Sequence, residues 1–117
     1  MKNVERESRL QEKIMQRLRA SGIYVYKNAQ NMYTEKGRPD LTACVPVKMA
    51  NDIRGLFVGI ELKRPGHLNG VSEAQEVVGR AIVKAGGIWI LSDNADYIEK
   101  YIKFIQESNY DNTDNNK

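Results

Sequence analysis

Apolar residues that recur every three or four positions predict three amphipathic helices in this chain. In the first of them Leu10, Ile14 and Leu18 form a stripe, and charged residues fill the opposite face. The predicted helices span Glu5–Ala20, Ser72–Ala85 and Ala95–Glu107. Either Asp93 or Asn94 is a suitable N-cap for the third helix, because both side chains accept hydrogen bonds from backbone N–H groups.

Short stretches rich in β-branched and aromatic residues predict four strands. They span Ile23–Lys27, Asp40–Val47, Leu56–Lys63 and Ile88–Leu91. Polar, glycine-containing loops are predicted over Asn28–Gly37 and Arg64–Val71, and a turn over Met49–Gly55. Pro46 indicates the edge or the end of its strand, since proline has no N–H to donate to a sheet.

The predicted order α-β-β-β-α-β-α indicates one α/β domain. Short links favour an antiparallel meander for the first three strands. The helix between the last two strands favours a parallel pair joined by a right-handed crossover. We therefore expect a mixed four-stranded sheet flanked by helices over residues 1–108. Residues 109–117 are polar and rich in asparagine, and we expect them to form a flexible tail.

Composition excludes several classes of protein. The longest apolar runs fall far short of the ~20 residues that a membrane helix needs, and the N-terminal residues lack the apolar region of a secretory signal. Cys44 and His67 are the only residues of their types, which excludes a disulfide framework and a histidine-based metal cluster. A net charge of +3 permits a polyanionic partner, and a reducing cytoplasm is the expected setting.

Charged residues in the second and third predicted strands indicate a site for chemistry. Glu61 and Lys63 point to the same face of their strand, and Asp40 joins them there if the two strands pair. Two neighbouring carboxylates repel each other unless a cation lies between them, and Mg²⁺ binds through such oxygens. A bound metal would polarise a phosphate, and Lys63 could orient water or stabilise developing charge. The alternative is a surface hairpin with solvated charges.

Two supporting residues have competing interpretations. Gln75 could hydrogen-bond a phosphate or a metal-bound water, but Ser72 and Gln75 also have the spacing of a capping box. Both uses are compatible with a helix that starts beside the site. Glu7 could join the carboxylates, although acids are also favoured at helix N-termini by the helix dipole.

The pattern Pro39-Asp40 followed by Glu61-Leu62-Lys63 resembles the PD-(D/E)xK nuclease signature. The wider set of motifs resembles the VRR-NUC family over about residues 7–90. It comprises Glu7-Ser-Arg-Leu-Gln11, Tyr26-Lys-Asn28, Gly37-Arg-Pro-Asp40, Ile60-Glu-Leu-Lys63, Pro65-Gly66, Ser72-Glu-Ala-Gln75 and Gly86-Gly87. The resemblance implies a restriction-endonuclease-like αβββαβ core with an added C-terminal helix. It also implies a stand-alone nuclease domain of the kind found in phages and their hosts, dependent on Mg²⁺ or Mn²⁺.

Carried over residue by residue, the resemblance implies that Asp40 and Glu61 are metal ligands and that Lys63 is the catalytic lysine. It also implies that Glu7 is a further metal ligand and that Gln75 belongs to the catalytic set. Glu5 and Glu12 remain alternatives to Glu7, because the register of the first helix is open. The sequence departs from the family at three positions: Tyr24, Tyr26 and Lys27 stand where many members have tryptophan or arginine.

Basic residues near the predicted site are expected to bind the phosphates of nucleic acid without reading sequence. They are Lys27, Lys36, Arg38 and Arg64. The sequence thus predicts a metal-dependent DNA endonuclease, and the resemblance implies branched or four-way-junction (Holliday junction) DNA in replication, repair or recombination as the substrate and a homodimer as the active form. The alternatives are a non-cleaving nucleic-acid-binding module and a nuclease-like subunit of a larger DNA-processing complex.

Overall fold

A computed structural model describes residues 6–108, and over that range the chain forms three α-helices and four β-strands. The helices are α1 (Glu7–Ala20), α2 (Glu73–Lys84) and α3 (Ala95–Ser108). The strands are β1 (Tyr24–Lys27), β2 (Leu41–Met49), β3 (Asp52–Leu62) and β4 (Ile88–Ser92). The order of elements is the predicted one. The proposed tail over 109–117 and the alternative acid Glu5 lie outside the described residues.

The strands form one mixed sheet in the order β1-β2-β3-β4. The first three make an antiparallel meander, and β4 pairs in parallel with β3 after the crossover through α2. This arrangement confirms the prediction of a restriction-endonuclease-like α/β fold, with helices flanking the sheet and a C-terminal helix added. Within the described range, none of the helices combines the length and the apolar character that crossing a bilayer requires.

The main core lies between one face of the sheet and the helices α1 and α3. Its residues recur every second position along the strands and every three or four positions along the helices, as the two geometries dictate. They include Leu10, Ile14, Leu18, Val25, Leu41, Ala43, Val45, Val58, Ile60, Leu62, Ile98 and Ile102. Arg17 on α1 also forms ion pairs with Asp96 and Glu99 on α3, which join the two helices on this side of the sheet.

Helix α2 packs against the opposite face of the sheet and buries little of itself, with Gly79 as its one buried residue. A Cβ at Gly79 would collide with the indole ring of Trp89 on β4. A Cβ at Gly59 on β3 would lie 2.8 Å from Pro39 Cγ and 3.0 Å from Ile82 Cδ1. These close approaches hold the helix against β3 and β4, so that its N-terminus reaches the end of β3.

The predicted turn over Met49–Gly55 is present but is shorter than predicted. Strands β2 and β3 continue as a hairpin arm in which Met49 pairs with Asp52, leaving a two-residue turn at Ala50 and Asn51. Polar residues and Gly55 weaken the strand pattern of this segment. The arm nevertheless stays paired because its backbone hydrogen bonds do not require a buried face, and residues 52–55 are exposed.

The interpretation of Pro46 as an edge residue is confirmed. Strand β1 pairs with β2 only as far as Cys44, so in the described structure no strand lies beside Pro46 on that side. Its carbonyl instead accepts a hydrogen bond from Gln106 Nε2 at 3.0 Å. Gln106 of α3 therefore donates to a backbone carbonyl that β1 is too short to reach.

Candidate active site

Asp40 lies where the loop after β1 enters β2. Because Leu41 pairs with Ile60, Asp40 and Glu61 follow at the next position of the register. Asp40 Oδ2 accepts a hydrogen bond from the backbone N–H of Leu62 at 2.8 Å. Strand pairing thus brings the Asp40 carboxylate to the end of β3, as the sequence predicts.

Glu61 is a buried carboxylate, with only 2% of its side chain exposed. Its neighbours Ile60 and Leu62 face the core, so Glu61 faces α2. Its Oε2 atom accepts a hydrogen bond from Gln75 Nε2 at 2.6 Å. Its Oε1 atom is buried and has no hydrogen-bond partner among the residues that the structure describes. A buried oxygen left this way is costly, so the site is suited to an added cation or hydrogen-bond donor.

Gln75 forms the capping box and also contacts the charged residues of the candidate site, while its predicted hydrogen bond to a phosphate or a metal-bound water stays a prediction. Its backbone N–H donates to Ser72 Oγ at 3.1 Å, and its Oε1 accepts from the Ser72 backbone N–H at 2.9 Å, which completes the capping box. The same Oε1 accepts from Lys63 Nζ at 3.3 Å, while the amide nitrogen donates to Glu61. One side chain therefore caps α2 and connects Glu61 with Lys63.

Lys63 directly follows β3. Its backbone N–H donates to Ser92 O at 3.1 Å, which extends the pairing of β3 with β4 by one residue. Its side chain is 13% exposed, and Nζ lies 3.8 Å from Glu61 Oε2. The ammonium group therefore lies beside the buried carboxylate and within reach of Gln75.

Glu7 begins α1, and its carboxylate is close enough to Asp40 and Glu61 to raise the pKa of each. Glu12 is exposed. Of the alternative acids that the structure describes, Glu7 is thus the one near the two site carboxylates. The electrostatic contact supports the register in which Glu7 is the acid of the first helix, and its role as a metal ligand stays a prediction.

Gln11, one turn after Glu7, is buried at 8% exposure. Its Oε1 atom has no hydrogen-bond partner within the described residues. A polar residue on a charged helix is expected to be solvated, but for Gln11 this prediction is wrong, because the residue lies beside Leu10 on the stripe of α1 that packs into the protein. A polar residue beside an apolar stripe was the signal available in the sequence.

Burial dominates the electrostatics of the two site carboxyls. It raises the pKa of Glu61 to about 8; the Asp40 carboxylate adds to the effect, and Lys63 opposes it. Burial also raises the pKa of Asp40, against the hydrogen bond from Leu62, which lowers it. Both groups therefore favour the protonated form more than an ordinary acid does. A cation between them would reverse that preference.

The donor set fits a hard divalent cation. Among the described residues, no three His, Cys, Asp or Glu side chains are arranged to enclose a metal ion. Mg²⁺ does not need such an enclosure, because it commonly binds one or two carboxylates and completes its coordination with water and substrate phosphate. Asp40 and Glu61 would supply the carboxylates, and Glu61 Oε1, which has no hydrogen-bond partner among the described residues, would be available to coordinate.

Asn28 holds the loop before Asp40 in place. This residue is 4% exposed, and its Nδ2 donates to Pro39 O at 2.9 Å and to Thr42 Oγ1 at 2.8 Å. Its Oδ1 accepts from Arg38 Nη2 at 3.1 Å. In the sequence Asn28 stands out only as the last residue of the Tyr26-Lys-Asn28 motif, which does not predict this role. The available sequence signal for this role was the position of Asn28, two residues after Tyr26 and therefore on the same face of the strand.

The predicted phosphate-binding residues differ in their exposure and in their contacts with the candidate site. Lys27 is exposed and close enough to lower the pKa of Asp40. Arg38 is partly buried, and one guanidinium nitrogen is already hydrogen-bonded to Asn28. Lys36 and Arg64 are exposed. Lys36 and Arg38 help to line a cleft of about 490 Å³ that also reaches Gln75, whereas no described contact joins Arg64 to the site.

The fold and the acid-lysine cluster define an α/β protein of restriction-endonuclease-like architecture with a candidate site for phosphodiester chemistry. A solved structure described as a VRR_NUC domain superposes on the chain with a TM-score of 0.63 and 23% sequence identity. The match covers 83% of this chain and 94% of that one. The chain therefore has the VRR_NUC fold, as the sequence motifs predict. No family profile and no curated relative matches the chain.

Proposed function

We propose that the protein is a divalent-metal-dependent nuclease that hydrolyses phosphodiester bonds in DNA. The observation that carries this proposal is the buried Glu61 carboxylate, which has one unpartnered oxygen and lies beside Asp40 and Lys63. A structural role would not need a carboxylate in this position, because replacing it with an apolar side chain would relieve the cost of burial. The likeness to a VRR_NUC domain supports the same reading.

Asp40 and Glu61 would hold Mg²⁺ or Mn²⁺, and Glu7 would contribute directly or through water. Such an ion, when bound, polarises the scissile phosphate and lowers the pKa of water. Gln75 keeps Glu61 in position through its 2.6 Å hydrogen bond. Lys63 balances the negative charge that develops on the phosphoryl oxygens, and it is held for this purpose by Gln75 Oε1.

The reaction is hydrolysis. A water oxygen forms the new bond to phosphorus, the bond from phosphorus to one sugar oxygen breaks, and the proton released by water is balanced by protonation of the leaving oxygen. The products are a terminal phosphate and a terminal hydroxyl group. Lys63 lies close enough to the carboxylates to orient the attacking water.

The preferred substrate is proposed to be branched or junction DNA, bound by a homodimer in the cytoplasm. A junction has near two-fold symmetry, and a symmetric dimer would present two sites to two of its strands. Lys27, Lys36, Arg38 and Arg64 are proposed to bind the phosphates. Light scattering after size exclusion tests the dimer, and paired nicking of four-way junctions by a strictly monomeric protein would contradict its proposed role.

The test of the activity is a panel of labelled substrates incubated with Mg²⁺, Mn²⁺ or EDTA. The panel contains a four-way junction, a flap, nicked and intact duplexes, single strands and RNA. Lys63→Ala and Asp40→Asn remove groups of the proposed site, and Lys84→Ala removes an exposed lysine at the far end of α2 as the matched control.

We expect metal-dependent cleavage that Lys84→Ala retains and that both site variants lose by roughly 100-fold or more. Cleavage that persists in Lys63→Ala and Asp40→Asn would contradict the proposed site. Binding without cleavage by the unaltered protein on every substrate would favour the non-cleaving module or a subunit that requires a partner.

A further inference from the structure

Two tyrosines on the edge strand β1 are exposed in a way that the fold does not require. Tyr24 is 69% exposed and Tyr26 is 41% exposed, and their ring centroids lie 5.8 Å apart at an angle of 58°. The residue between them, Val25, is the one that β1 contributes to the core. The two aromatic rings, here called the tyrosine platform, therefore lie side by side on the surface.

The tyrosine platform shares a sheet face with the candidate active site. Tyr26 pairs with Thr42, and Thr42 pairs with Gly59. Glu61 lies two residues after Gly59 and therefore faces the same way. From a spacing of roughly 6.8 Å per two residues and about 4.8 Å between strands, the Cα atoms of Tyr26 and Glu61 are separated by about 12 Å. Tyr26 is thus aligned across the strands with Gly59, two residues before Glu61 on the same face.

Cationic groups flank the tyrosine platform. Arg19 Nη2 donates to the carbonyl of Val25 at 3.2 Å, which places a guanidinium group at the open edge of β1 next to both tyrosines. Beyond Tyr26, Arg38 Nη2 donates to Asn28 Oδ1 at 3.1 Å two residues before Asp40, and Lys27 is the next residue of β1, close enough to Asp40 to lower the pKa of that carboxyl. Aromatic faces interleaved with cations suit a strand that carries both bases and phosphates.

We propose that Tyr24 and Tyr26 stack on the bases of an unpaired nucleic-acid strand whose backbone continues to Asp40, Glu61 and Lys63. Bases within a duplex already stack on one another, so the platform would select the single-stranded arm of a branched substrate rather than a continuous duplex. This inference rests on the proposed function for the site that the strand reaches. The stacking itself is a binding property and is measurable without cleavage.

The first test measures binding in EDTA at one fixed salt concentration, by fluorescence anisotropy with labelled oligonucleotides. The Tyr24→Leu/Tyr26→Leu variant keeps bulky apolar residues on β1 but removes both aromatic faces. We expect its affinity for a single strand to fall roughly 5- to 100-fold, with duplex affinity changed less than about 2-fold. The slope of affinity against salt should stay the same, because no phosphate contact is removed.

Two controls make the result specific. Tyr24→Phe/Tyr26→Phe retains both aromatic faces and should bind a single strand like the unaltered protein. Tyr97→Ala removes a 54% exposed tyrosine from a second ring pair, with Tyr101, on α3 and against the opposite face of the sheet. It should have no effect on binding. Thermal melts confirm that each variant is folded before its affinity is compared.

The second test removes bases instead of side chains. Abasic positions are scanned one at a time along the single-stranded arm of a flap. In the unaltered protein, binding should weaken where the missing base would have met a tyrosine. In the leucine variant the same abasic position should cause no further loss, because the two changes remove one interaction.

Three results would overturn the proposal. They are equal single-strand affinity in the leucine and unaltered proteins, equal loss of single-strand and duplex affinity, and loss of self-association with nucleic-acid binding unchanged. The last would assign the tyrosine platform to a contact between copies of the chain.

If no substrate is cut but single-strand binding depends on the tyrosines, the nuclease proposal fails and the platform proposal stands. If cutting occurs with unchanged substrate preference in the leucine variant, the platform fails and the nuclease stands.

Discussion

At the scale of single residues, the orientation of the Gln75 amide is fixed from three sides. Its oxygen accepts from Ser72 and Lys63, so its nitrogen must face Glu61. The amide oxygen and nitrogen therefore cannot exchange places without losing the hydrogen bonds from Ser72 and Lys63. The hydrogen bonds of this one amide therefore both cap α2 and position the side chains of Glu61 and Lys63.

Gln75→Ala should lower cleavage by roughly 100-fold, because both Glu61 and Lys63 lose the group that positions them. The same change should destabilise the fold by about 1 kcal/mol through loss of half of the capping box. Ser72→Ala is the matched control, since it weakens the cap but leaves the Gln75 contact to Glu61 in place. Single-turnover rates and thermal melts of the two variants check this, and equal losses of rate would contradict the positioning role.

Glu61→Gln should stabilise the metal-free protein while abolishing cleavage. The pKa of Glu61 is raised from 4.5 to about 8, so the folded state holds this proton more tightly than the unfolded chain does. Ionisation of Glu61 therefore destabilises the fold as the pH rises from about 4.5 to about 8. In EDTA at pH 8 the variant should melt at least about 4 °C higher, the shift that about 1 kcal/mol produces in a domain of this size.

The gain should shrink as the pH falls toward 5, where Glu61 in the unaltered protein is already protonated. Glu12→Gln, which neutralises an exposed acid on α1, is the control and should show no comparable dependence. A melting temperature for Glu61→Gln that lies below that of the unaltered protein at pH 8 would refute the view that a buried charge opposes folding.

At the scale of elements, the loop between β1 and β2 is fixed to the N-terminus of α2. Gly37 has φ of 90°, and a Cβ there would collide with the backbone carbonyl of Ala74. The contact brings the loop that carries Arg38 and Asp40 against the helix that carries Gln75. Two segments that are distant in sequence thus meet through a residue without a side chain.

Gly37→Ala should destabilise the protein by roughly 2 kcal/mol or more, because it adds a backbone collision to the strain of a positive φ. Gly22→Ala is the matched control: Gly22 has φ of 80°, but nothing lies within 4 Å of its added Cβ. We expect the control to cost only about 1 kcal/mol. Urea unfolding measures both, and a Gly37→Ala cost no larger than that of Gly22→Ala would contradict the close contact.

The elements differ in how well the sequence predicts them. The sequence predicts the three helices and the order of the strands. The apolar pattern of each element extends over enough residues that a few polar positions within it do not hide it. The turn over Met49–Gly55 is predicted too long, since the hairpin arm is exposed and its pairing leaves no alternating pattern to detect. Backbone hydrogen bonding to a neighbouring strand, which no local pattern records, holds this part of β2 and β3.

At the scale of the whole molecule, the main core and the candidate site lie on opposite faces of the sheet. Among residues 6–108 the core between the sheet and the helices α1 and α3 is built from apolar side chains, and Glu61 lies on the α2 face. We therefore expect the metal-free protein to fold. A divalent ion should add stability only through binding to the folded state.

Mn²⁺ at about 100 times its dissociation constant should stabilise the unaltered protein by about 2.7 kcal/mol relative to EDTA. Asp40→Asn and Glu61→Gln should lose this gain, whereas Glu12→Gln should retain it. Thermal melts across a titration of Mn²⁺ measure the effect without any cleavage assay. Unfolding of the unaltered protein in EDTA would contradict the separation of core and site.

The sequence by itself determined the order of elements and the stripes that form the core, and it predicts Asp40, Glu61 and Lys63 as the residues on which chemistry would depend. These properties follow from local periodicity and from residue types that are unusual in strands. Only the tertiary structure decided that Gln75 joins cap and site, that Asn28 holds the loop, and that Tyr24 and Tyr26 share the face of the carboxylates. Those relations depend on strand register and on contacts between distant segments. Neither the register nor the contacts produce a periodic pattern of residues that could be recognised in the sequence.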